Sequence, residues 1–195
     1  MDSLLDLPQA HGQAMTEFDH GVHAVGQDQW DLPTPCTRWT VRNLVNHLVY
    51  EQLWAPLLLG GATIEEVGDR FEGDVLGHDP VAAWTAASGA ARRAWTEPGA
   101  VDRRVHVSWG VIDAIEYGWQ MTVDLAVHGW DLTAGIGKPV VLSDELARTL
   151  LHQVEPVAES WQDSGAFGRP VPVSEDADPQ TRLLGLLGRD ATAWS

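Results

Sequence analysis

The sequence predicts an all-α fold built as a helical bundle, and three observations carry that prediction. Long segments repeat their apolar residues with the period of a helix face, glycine and proline clusters mark the ends of those segments, and no Gly-rich phosphate loop, Cys-x-x-Cys pair or internal repeat points elsewhere. A length of 195 residues fits one domain with a sizeable core, read as a bundle over about 1–161 and a tail over about 162–195.

The first helix is expected over Ser3 to Val25, where Ala14, Met15, Phe18, Val22 and Val25 follow a helical period. Pro33 and Pro35 then forbid a helix and predict an ordered loop from Trp30 to Thr37. The second helix spans Thr40 to Leu59, with Thr37 or Thr40 as cap and Val41, Leu44, Val45 and Leu48 as its apolar stripe. On a wheel of about 100° per residue His47 falls about 60° beyond Leu44, at the rim of that stripe. Gly60 and Gly61 close the helix, and the acidic stretch through Glu65, Glu66, Asp69, Glu72 and Asp74 reads as a connection with at most one short helical piece.

Asp79 and Pro80 open a third helix that runs to Trp95 and is closed by Pro98 and Gly99. The alternation of Val101, Arg103, Val105 and Val107 allows a short extended excursion before Trp109. A fourth helix is expected over Val111 to Ala134, stopped by Gly135, Gly137 and Pro139. Ser143, followed by Asp144 and Glu145, starts a further helix to Trp161 with a kink near Pro156, and Asp178 to Leu187 reads as a short helix folding back on the body.

Composition excludes several function classes. With 28 acidic and 12 basic residues the formal charge is −16, which repels phosphate backbones and anionic membrane surfaces, so no nucleic acid and no membrane partner is expected. The one cysteine, Cys36, excludes a disulfide framework and a Cys-rich zinc site and points to a reducing, cytoplasmic setting; a small, buried side chain is the commoner fate of such a residue. The acidic start Met1-Asp2-Ser3-Leu4-Leu5-Asp6 does not resemble a secretory leader, and no apolar run approaches the roughly 18 residues of a membrane span. Ten tryptophans serve as core anchors, with Trp30, Trp39, Trp54, Trp109, Trp119 and Trp130 as candidates for a pocket wall. Nothing in the sequence specifies an oligomer, and a homodimer is the assembly allowed for.

The chemistry-bearing constellation is His47 on the second helix with Asp124 and His128 on the fourth. An i, i+4 pair stacks two side chains on one helix face, so the pair and one histidine from a neighbouring helix offer three ligands to a divalent ion such as zinc, nickel or iron and leave positions open. The same spacing also fits a simple hydrogen bond on a solvated face. Asp124, His128 and Asp131 share about 60° of arc beside Met121 and Leu125, where uncompensated charge is costly, and Asp131 fits either a group that bonds a ligand or cap or a satisfied carboxylate near the helix end. Glu17, His20 and His23 form a rival group on a more polar face, while His11, His78, His106 and His152 have no matching partners in sequence.

The runs Pro33-Thr34-Pro35-Cys36-Thr37-Arg38-Trp39-Thr40-Val41-Arg42-Asn43-Leu44-Val45-Asn46-His47-Leu48 and Asp124-Leu125-Ala126-Val127-His128-Gly129-Trp130-Asp131-Leu132 resemble the DinB/YfiT-like metalloenzymes. Within them the chain is similar to the branch that includes the N-terminal domain of mycothiol-dependent maleylpyruvate isomerase. The closing run Phe167 to Asp190 is similar to a metal-binding subfamily of that branch. The resemblance implies a DinB-like four-helix bundle of up-down-down-up order with an additional C-terminal helix and short tail, and it implies a metal near one end on His47, Asp124 and His128. Many members carry histidine, and the isomerase branch glutamate, where this chain has the shorter Asp124. The isomerase has a second C-terminal domain where only a short tail follows the bundle here, so the resemblance does not carry the isomerase reaction with it. It implies instead a metal- and thiol-dependent S-transferase or isomerase of small electrophiles with a low-molecular-weight thiol cosubstrate, Asp131 orienting a ligand and Trp39 and Trp130 shaping the cleft. The rival is a non-catalytic bundle that binds or senses a metal or small ligand.

Overall fold

The computed structural model describes residues 4–138, 142–163 and 167–194. Four long helices form the bundle: α1 (Leu7–His23), α2 (Val41–Leu59), α4 (Pro80–Trp95) and α5 (Ala114–Gly135). A short α3 (Ile64–Val67) lies in the connection between α2 and α4. A hairpin of β1 (Arg104–Val107) and β2 (Gly110–Asp113), with Val105 opposite Ile112, precedes α5. After the bundle come α6 (Asp144–Val154), α7 (Ala158–Asp163), α8 (Pro179–Leu186) and a closing 3₁₀ turn, Ala191–Trp194.

The helix starts are local chemistry. Asp6, Thr40, Asp79, Ser143 and Asp178 each accept a hydrogen bond from a backbone N–H of the first turn, satisfying donors that the helix itself leaves free. The first helix therefore begins at Leu7 behind the Asp6 cap, later than Ser3, which lies outside the described residues, and ends at His23. The fourth predicted helix is shortened for a different reason: Val111 and Ile112 pair with β1, and the helix starts at Ala114. The kink expected at Pro156 is a break: Glu155 to Val157 turn between α6 and α7, since proline has no N–H to continue the ladder.

Packing sets the helix directions. Gly118, early in α5, lies so close to Leu7, early in α1, that a Cβ there would sit 2.5 Å from Leu7 Cδ2, while Gly21, late in α1, faces Leu132 and Thr133, late in α5. These two helices are therefore parallel. Phe18 stacks on Trp84 at 4.6 Å and His11 on Trp95 at 5.4 Å, so α4 runs against α1. α2 runs against α5, with His47 beside Asp124 at one end and Arg103, just ahead of the hairpin, donating to the Leu59 carbonyl at 3.0 Å at the other. This is the up-down-down-up order of the DinB-like bundle, and the long crossover between α2 and α4 is what lets two successive helices run parallel. Among the described residues no helix is long and apolar enough to cross a membrane.

His11 is a buried member of this core. The Thr122 hydroxyl donates to the Gly118 carbonyl at 2.6 Å, so it accepts from His11 Nδ1 at 3.1 Å. Burial, with Arg92 nearby, pushes the His11 pKa down from 6.5 to about 4. The unfolded chain thus binds this proton more readily, and stability rises with pH across that window. Acidifying from pH 6.5 to 4 is expected to remove about 3 kcal/mol through His11. Urea unfolding of the wild type and His11→Gln checks this, the variant having the shallower acid dependence.

Candidate metal centre

The loop before α2 is pinned from both sides. Val41 and Arg42 donate their backbone N–H groups to Leu32 and Trp30, and the Thr34 hydroxyl donates to the Trp39 carbonyl at 2.9 Å. Trp39 is thereby laid over the two histidines, 4.6 Å from the His47 ring and 5.2 Å from the His128 ring. It excludes water from one side of the pair.

His47, Asp124 and His128 meet where α2 crosses α5. His47 Nε2 lies 3.0 Å from Asp124 Oδ2 and His128 Nε2 lies 3.4 Å from Asp124 Oδ1, so the two imidazoles address the two oxygens of one carboxylate. The three donor atoms all fall within 4.8 Å of one another. Behind them, His128 Nδ1 donates to Asp131 Oδ2 at 2.9 Å, which leaves Nε2 as the nitrogen for a metal. Two imidazole nitrogens and a carboxylate with open sides form a donor set that fits a divalent ion.

Charge around the triad follows from burial and these contacts. Burial disfavours the His128 charge, yet the Asp124 carboxylate and the hydrogen bonds to Asp124 and Asp131 outweigh it and push the pKa up to about 9. Burial likewise opposes ionisation of Asp124, but His47 and His128 hold its pKa well below the usual carboxylate range. The Asp124 carboxylate thus favours protons on both rings, and a divalent ion would compete with those protons for the same nitrogens.

Asp131 is fully buried and is held by a residue that the sequence reading passed over. Arg189 Nη2 donates to Asp131 Oδ2 at 2.8 Å and its Nε to Oδ1 at 3.3 Å, while Nη1 donates to the Leu187 carbonyl at 2.7 Å. The local sequence explains the aim. Gly188 adopts φ +82° just past α8, Arg189 N–H donates to Leu184 at 2.8 Å and Gly188 N–H to Gly185 at 3.1 Å, a glycine-dependent helix ending that turns the next side chain inward. Leu187-Gly188-Arg189 is the sequence signal for that cap, although the partner of the arginine lies on α5.

Other expected residues are placed differently. Trp130 is buried in the core and does not line the cleft, because two residues on from His128 the helix has turned by about 200°. His20 and His23 are exposed. Cys36, His128 and Asp131 also bring ligand-type atoms within 4.8 Å, but both Asp131 oxygens are engaged by Arg189, and burial with the Asp131 charge raises the Cys36 thiol pKa.

Two cavities open at His47. One of about 400 Å³ is lined by Arg38, Trp39, Asn43, Asn46, His47 and Tyr50. The other, about 660 Å³, has His47 and Asp124 in its wall together with Glu51, Trp54, Trp109 and Tyr117. Glu51 sits one helical turn past His47, and burial, with the Asp124 charge next, pushes its pKa up to about 7.

A family model described as the mycothiol maleylpyruvate isomerase N-terminal domain matches residues 11–133. The fold is similar to the crystal structures of the mycothiol-dependent maleylpyruvate isomerase and of a point mutant of it. The TM-scores are 0.59 and 0.60, with 17% identity in each case over 89% of this chain and 78% of the other. No curated protein sequence matches the chain.

Proposed function

The chain belongs to the mycothiol maleylpyruvate isomerase N-terminal domain family, and from that premise we propose that it is a metal- and thiol-dependent S-transferase or isomerase of small electrophiles. His47, Asp124 and His128 would hold the ion, zinc in the first instance with nickel or iron as alternatives. The observation that carries this reading is the triad itself, three donor atoms within 4.8 Å of one another, two of them on residues in the wall of a cleft, His47 and Asp124. A divalent ion bound there supplies a Lewis-acid position that favours ionisation of a low-molecular-weight thiol near neutral pH.

The chain's own residues do the rest. Asp131 keeps His128 in one tautomer and one orientation, Arg189 keeps Asp131 ionised and fixed, and Trp39 shields the ligands from water. The larger cleft holds the electrophile beside the triad, so that thiol and acceptor meet in a fixed geometry.

Cobalt-substituted protein is expected to change its visible spectrum when a thiol such as mycothiol is added, and metal-loaded protein to consume an electrophile only with thiol present. A spectral response with no turnover across a panel of electrophiles would identify a non-catalytic binding protein. No response of the cobalt spectrum to any thiol would refute the thiol-dependent mechanism.

A further inference from the structure

Taking the larger cleft as the place of the electrophile, as proposed above, we propose that it receives an organic cation, an amine or quaternary ammonium on an apolar body, and not a dicarboxylate. Its charged lining is acidic: Glu51, Glu116 and Asp124 face the space, His47 is the basic residue, and no lysine or arginine is among the described residues that line it. Neither Glu51 nor Glu116 has an arginine or lysine within ion-pair distance among the described residues. Arg38 lines the smaller cavity, and Arg189 is spent on Asp131. A ligand with two carboxylates would meet two carboxylates without an arginine or lysine to answer them.

The remaining wall is aromatic. Trp54, Trp109, Tyr117, Trp161 and Phe167 line the cleft, and Trp109, at the hairpin tip, is 67% exposed. Indole and phenol faces carry negative quadrupole charge, which attracts alkylammonium groups and does nothing for an anion. Two polar atoms in this wall point to a ligand independently of the acids. The Tyr117 hydroxyl and Trp54 Nε1 are buried without a hydrogen-bond partner, on side chains only 5% and 7% exposed. Both can donate, so a ligand that bears a neutral acceptor oxygen would satisfy them while its positive charge meets Glu51 and Glu116.

Titration calorimetry and tryptophan fluorescence on the metal-free chain test this without reference to turnover, so a failed activity screen and a failed charge preference remain separate results. The probes are benzyltrimethylammonium, 2-phenylethanol and maleate. The cation is expected to bind about tenfold or more tighter than maleate, and Glu51→Gln combined with Glu116→Gln to weaken it by about threefold or more while 2-phenylethanol is unaffected. Trp109→Ser, at an exposed tip that the fold does not depend on, is expected to weaken the cation as well. Maleate binding as tightly as the cation would overturn the proposal, as would full retention of cation affinity in the double variant.

Discussion

Replacing Arg189 with methionine is expected to lower the free energy of unfolding by about 3–5 kcal/mol, because it removes one half of a buried ion pair and leaves the other half behind. Asp131 is completely buried, and Arg189, 7% exposed, meets both of its oxygens. Without the guanidinium, the carboxylate keeps, among the described residues, the His128 Nδ1 hydrogen bond in a low-dielectric surround. Methionine has similar bulk, so the loss reports charge and not a cavity. Removing both partners, as in Asp131→Leu with Arg189→Met, is expected to recover most of the stability, since the desolvation cost then disappears with the charges. The double variant should nevertheless bind metal about 10–100-fold more weakly, because His128 has lost the group that orients it. Chemical denaturation of the two variants separates these effects. A change within about 1 kcal/mol for Arg189→Met, the worth of an exposed pair, would mean that the tail does not close on α5 as described.

Asp124→Asn is expected to weaken zinc binding by more than the roughly 10–100-fold typical of a group behind the ligands. Asp124 is the carboxylate that both imidazoles address, and an amide offers no negative charge to offset a divalent ion. In the metal-free protein the same substitution removes the charge that holds the His128 pKa near 9 and raises that of His47. The raised pKa values mean that the histidines add stability below about pH 6.5, which is lost as pH rises through 9. Asp124→Asn should flatten that alkaline loss in wild-type apo protein. Asp124→Glu keeps the charge one methylene further out and is the control: retained zinc binding there, with loss in the amide, isolates charge as the cause. Competition with a chromophoric chelator measures both affinities.

The candidate site was legible where its geometry is local to one helix. Asp124, His128 and Asp131 come together because spacings of four and three residues place side chains on one face, and that is visible in the letters of the sequence. His47 could be placed at the rim of its helix for the same reason. Arg189 could not be placed, because its partner lies 58 residues away and only packing of the tail brings the two together. The starts at Thr40, Asp79, Ser143 and Asp178 were readable from their caps, whereas the Asp6 cap of α1 and the uncapped start of α5 at Ala114 were not. The hairpin was half seen: the alternation up to Val107 suggested an extended segment, but Val111 and Ile112 are as apolar as helix residues and disclose their strand only through pairing with β1. Trp130, expected to shape the cleft, is turned by its helix into the core, a placement that composition alone does not reveal.

Metal content per chain is the most direct measurement, made by elemental mass spectrometry on protein purified without an affinity tag and compared with His47→Ala and His128→Ala. Close to one divalent ion in the wild type, lost in both variants while their helical circular dichroism is retained, is the predicted result. A wild type that takes up no zinc, nickel or iron on reloading, or variants that keep full occupancy, would contradict the assignment of His47, Asp124 and His128 as a metal centre.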